Sequence, residues 1–328
     1  MKKRQHYLPK AYLDFFSAAE HKKTKVYALF CNSNTIEYVS TNDICNQRYL
    51  YEQIVDTRSA EKLTFFAPNE LENSFVHYEG DYATIITQII NDIETKNVYL
   101  LKPEEVEVLT FNMSLLVFRH PLFVKICNHI TDKKIICNPD AFEYFKTKLP
   151  EIDENVLAAG IKHLFLSLVL HPSEGGFWVR AMQETMNDSQ CCVFRTENAK
   201  FFTSDSPVVN IFGAKNNVNY DLIGMPISPK YFLAFVETEE KIDPVIDVTK
   251  SEVALINEYQ LNNKNKKMLI ADEKELLENI SLEDQGDDLK EEATDLSEIK
   301  DIFVSEYFDE SEIAECIKML EEIKSKRR

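Results

Sequence analysis

Phe201-Phe202-Thr203-Ser204-Asp205-Ser206-Pro207-Val208-Val209 sets apolar residues on both sides of a polar centre. A buried strand that must break off abruptly reads this way. Pro207 lacks a backbone donor and biases Ser206 towards extended geometry. Asp205 and Ser204 can hydrogen-bond the neighbouring backbone in an Asx- or Ser/Thr-type turn. The stretch therefore predicts a rigid strand end that fixes one carboxylate and two hydroxyls at a sheet margin.

On either side the pattern is apolar or of period two: Cys191 to Thr196, Lys200 to Thr203, Pro207 to Phe212, Leu222 to Ile227 and Tyr231 to Val236. Turn signals separate these pieces, which read as an antiparallel meander. Upstream the period is helical. Helices are expected over Glu70 to Glu94, Pro103 to Phe118 (with Pro121 kinking or ending it), Asp153 to Leu170 and Trp178 to Met186. Nearer the start, Pro9 suits the first turn of a short helix carrying Tyr12, Leu13 and Phe16 inward. Lys25 to Cys31 and Thr35 to Ser40 form a hairpin signal across Asn32-Ser33-Asn34, and Tyr49 to Val55 reads as a further extended piece. A helix from Ser251 to Asn262 and an apolar stretch Met268 to Ile270 complete the pattern. Runs of helices followed by runs of strands give an α+β fold. Its helical portion, about residues 68–188, packs on a mostly antiparallel sheet, about 190–237, with an N-terminal β-hairpin.

Three regions follow: a single α+β domain over 1–280, an acidic linker over 281–308 and a C-terminal amphipathic helix over 309–328. In the last, Ile313, Ile317, Leu320 and Ile323 share a face. Residues 272–328 hold 20 acidic and 8 basic residues, net −12 of the chain's −18. Such acidity disfavours sequence-independent duplex binding, which rests on phosphate contacts. No apolar run approaches membrane-spanning length, and the basic start leads into no signal-peptide core. Seven cysteines without a Cys-x-x-Cys pair fit reduced thiols and a cytoplasmic setting.

No P-loop, nucleophile elbow, zincin or dinucleotide fingerprint is present, and seven glycines leave no room for a phosphate-cradling loop. His120, His129, His163 and His171 lack metal-ligand spacing. The remaining chemistry-bearing residues are scattered: His6 beside Tyr7, Glu72 and Glu79 seven apart on one helix face, Asn112 and Arg119 in the same relation, Asp205 at the strand end and Asn257 in a late helix. Unpaired burial of such groups is costly, so convergence of His6, Glu79, Arg119 and Asp205 on one cleft is expected.

His6-Tyr7-Leu8-Pro9 with Tyr12, Leu13 and Phe16 resembles the opening of a bacterial family called domain of unknown function 4238. The resemblance extends to the acidic helix at Glu72 and Glu79, to Arg119 followed by Pro121, and to Phe201, Thr203, Ser204, Asp205, Pro207 and Val208. Pro226-Ile227-Ser228-Pro229 and the helix bearing Asn257 also match, over roughly residues 4–275. The Gln that this family carries near the Arg has no counterpart, since Leu116 and Val117 stand there. The resemblance implies a shared fold and a shared site, with no activity attached.

Two functions compete. In a phosphodiester hydrolase of nuclease-like type, His6 is general acid, Glu79 is base or orients His6, and Arg119 clamps phosphate. Asp205 and Thr203 then fix the His6 tautomer or the substrate, with Tyr7, Ser204 and Asn257 also on the substrate. Nucleic acid or a nucleotide is the partner. A metal-dependent variant uses Glu72, Glu79 and Asp205 as oxygen ligands; the cofactor is left unassigned. Alternatively the chain is a non-catalytic binding or sensor module, its polar cluster structural and its tail the interaction element, meeting a protein partner through the C-terminal helix. Neither reading involves a membrane.

Overall fold

Two long helices form where apolar residues recur at helical spacing, and they frame the rest. The computed structural model describes residues 4–17, 24–52, 69–137, 139–148, 150, 153–171, 177–211, 221–263, 265–278 and 280. The acidic linker and the C-terminal helix expected beyond 280 lie outside these residues, as do residues 53–55 of the extended piece read from Tyr49. Helix α2 (Glu70–Lys96) buries Leu71, Phe75, Tyr82, Ile86, Ile89 and Ile93 along one stripe and ends on a left-handed Asn97. Helix α3 (Pro103–Phe118) starts with proline in its first turn, and Glu105 caps the Lys102 N–H at 2.8 Å. All residues from Leu109 to Leu116 are buried, so α3 is a core helix.

Pro121 does more than stop α3. It opens a new helix, α4 (Pro121–Cys137), and Pro139 opens α5 (Pro139–Lys148). Helix α6 (Glu154–Leu170) follows, capped by Asp153, and then α7 (Phe177–Asn187), which lies on α3.

At the N-terminus come strand β1 (Arg4–His6), the short helix α1 (Lys10–Leu13), the hairpin β2 (Lys25–Phe30) and β3 (Thr35–Ser40), and β4 (Asn46–Arg48). Strand β4 precedes Tyr49, whose positive φ of 54° ends it. The extended piece therefore falls earlier than its sequence pattern predicts. The second half supplies β5 (Gln190–Arg195), β6 (Thr203–Ser204), β7 (Val209–Ile211), β8 (Asp221–Ser228), β9 (Tyr231–Glu237), β10 (Val245–Asp247), α8 (Lys250–Asn262), β11 (Met268–Ala271) and α9 (Glu275–Glu278).

These strands are not one meander. Five of them order as β10-β5-β9-β8-β7, antiparallel except for the parallel β10–β5 pair. Strand β6 leaves that sheet and joins β3-β2-β11-β6, pairing Leu269 with Ser204 and Ile270 with Thr203. Strands β1 and β4 make a small antiparallel pair of their own. The five-stranded sheet is covered on both faces, which explains why all residues from Tyr231 to Val236 are apolar and buried. Met225, Leu233 and Phe235 face the core shared with α1, α2, α3 and α6, while Phe232, Ala234 and Val236 face Val253 and Ile256 of α8. No helix among the described residues is long and apolar enough to cross a membrane.

Candidate functional site

Among the described residues strand β1 pairs with β4 alone, and its last residues engage different polar groups. Gln5 is fully buried: its Oε1 accepts the Tyr51 N–H at 2.8 Å and its Nε2 donates to Glu52 Oε1 at 3.1 Å. Glu52 Oε1 also accepts the Asn69 N–H at 2.9 Å, so Gln5 and Glu52 hold the start of α2 to the end of the β4 turn.

His6 is engaged mainly through its backbone. Its N–H donates to Glu72 Oε1 at 3.4 Å, and its carbonyl accepts from Arg119 Nη2 at 2.5 Å and from the Tyr51 hydroxyl at 3.2 Å. The half-buried imidazole points the other way, with Nε2 3.3 Å from the Asn42 carbonyl. Arg119, the residue that closes α3, is 1 % exposed. Its Nη1 meets Glu79 Oε1 at 2.6 Å, its Nε faces the Tyr51 hydroxyl at 3.3 Å, and its plane lies 4.4 Å from the centre of the Phe75 ring. Burial works against the guanidinium's charge, but Tyr51 and Glu79 outweigh it and push the pKa up. Glu79 keeps a quarter of its side chain exposed.

Tyr7 leads to the second half of the cluster. Its hydroxyl donates to Asp205 Oδ2 at 3.1 Å, and burial, with Cys45 and Asp205 beside it, drives its pKa far up. Asp205 Oδ1 accepts the backbone N–H groups of Lys267 at 2.8 Å and Met268 at 3.2 Å. The strand-end carboxylate thus ties β6 to β11. His120 completes this half. Its Nδ1 accepts the Leu122 N–H at 3.3 Å and so caps α4, which leaves the proton of the neutral ring on Nε2. That nitrogen is 3.8 Å from Asp205 Oδ2, and the ring meets Tyr7 edge-on at 5.3 Å.

The four side chains expected to converge on one cleft are only partly brought together. Glu79 and the His6 carbonyl meet the Arg119 guanidinium, while the His6 ring turns away. Asp205 touches none of the three and lies instead against their chain neighbours Tyr7 and His120. Glu72, read as a helix acid beside Glu79, is buried against the His6 backbone. Thr203 Oγ1 lies 2.6 Å from the Tyr12 hydroxyl, which also donates to the Pro226 carbonyl. Ser204 Oγ contacts the Ser206 carbonyl and Gln260 Oε1. Asn257 is apart from the cluster: its amide donates to the Lys200 carbonyl and accepts the Phe202 N–H, joining α8 to the approach of β6. Among the described residues, no three His, Cys, Asp or Glu side chains lie close enough to hold a metal ion. Burial pushes the Cys127 and Cys191 thiols up to about 12, so neither is a ready nucleophile near neutral pH.

No sequence signal gives Gln5 or Tyr51 a role, and His120 is read only as a histidine without metal-ligand spacing. Only His120 left a trace, as a residue between a helix-ending Arg and a helix-opening Pro, where a capping side chain is needed.

The family model described as "Protein of unknown function (DUF4238)" matches residues 4–275. The chain belongs to this family. The match begins at β1 and runs through β11 to the first residue of α9, so every residue of the DUF4238 cluster lies within it. Neither a curated protein nor a solved structure matches the chain.

Proposed function

We propose that this DUF4238 chain works as a binding module rather than as a hydrolase, with the polar cluster serving as the scaffold that fixes its N-terminus. The observation that carries the reading is the commitment of Arg119. Its guanidinium is buried and already bonded to Glu79, the His6 carbonyl and the Tyr51 hydroxyl. To clamp a phosphate it would have to surrender one of those partners and admit solvent beside Phe75. General acid catalysis also needs a ring nitrogen within about 3 Å of the substrate. His6 Nε2 is instead turned to a backbone carbonyl. In this reading Tyr7, Thr203, Ser204 and Asn257 are structural as well. The interaction element is the acidic segment after the domain, and its partner is a protein.

The hydrolase reading keeps one support, the partial exposure of Glu79 and His6 at the rim. A direct test incubates the purified chain with RNA, single-stranded DNA and a dinucleotide, with and without EDTA, beside His6→Ala and Glu79→Gln. Alanine at position 6 removes only the ring and keeps the carbonyl that holds Arg119. No turnover in any sample is expected. Turnover lost in His6→Ala at an unchanged melting temperature overturns the binding reading and restores a nucleic acid substrate.

A further inference from the structure

No further inference is drawn: the strongest candidate, the open groove of about 500 Å³ between α8 and α9, is lined by Glu197 and Glu273 as well as Lys200 and Lys250, and nothing in the structure shows what covers it.

Discussion

Arg119 is held by more groups than a charge requires. One carboxylate would balance it, yet a carbonyl, a hydroxyl and a ring face are also arranged around the same guanidinium. Removing one partner of such a buried set leaves the others unsatisfied, so Arg119→Ala should lower unfolding stability by about 3–5 kcal/mol in urea. Arg119→Lys should recover only part, because an ammonium cannot reproduce the fork. Equal stability of the alanine variant would put the guanidinium in water. His163 gives a separate handle. Burial in α6 lowers its pKa from 6.5 to about 4, so between those values the unfolded chain takes up a proton that the folded ring refuses. The neutral ring's contribution is complete above pH 6.5 and is lost as pH falls through 4, up to about 3 kcal/mol. His163→Leu should flatten the stability profile in that window; an unchanged slope would assign it to other groups. At this scale the sequence made Arg119 and Glu79 legible, since opposite charges in apolar helices must find each other. His120 was opaque, because its cap on α4 is local but its closeness to Asp205 is not.

Gly224 shows what a sheet covered on both faces demands of an element. A Cβ at this position in β8 would collide with the Phe232 ring and come within 2.6 Å of the Leu233 carbonyl. Both neighbours are buried in strand β9 and have little room to yield. Gly224→Ala should therefore cost about 1–3 kcal/mol, as overpacking does, and calorimetry of the two proteins measures it directly. A neutral result would mean that the sheet breathes more than its packing implies. The helices α2, α3, α6, α7 and α8 were legible because each carries its own period. Helices α4 and α5 were not, since Pro121 is equally good as the end of one helix and the start of the next. Strand β6 misled for a different reason. Its apolar pattern matches its sequence neighbours, but its partner β11 lies beyond β7 through β10, and only tertiary pairing chooses between them.

For the whole molecule, charge and packing separate along the chain. The cores involve aromatic and aliphatic residues from Tyr7 to Leu277, whereas most of the negative charge follows Asp272. A chain ending at Ile280 should keep one cooperative thermal transition, and loss of that transition would make residues 309–324 part of the core. Strand β1 carries a last consequence, for the order of events during folding. His6 is fastened by a residue 113 positions later, and Tyr7 by one 198 positions later. Asp205 is itself oriented by the backbone at Lys267 and Met268. Contacts so distant in sequence carry a high loop-closure cost and form late. During synthesis His6 and Tyr7 must therefore wait, unfastened, until nearly the whole matched region has been made. Tyr7→Phe, which removes a buried donor, should speed unfolding by the full loss in stability and leave the refolding rate unchanged. Stopped-flow refolding slowed in proportion would instead place β1 in the folding nucleus.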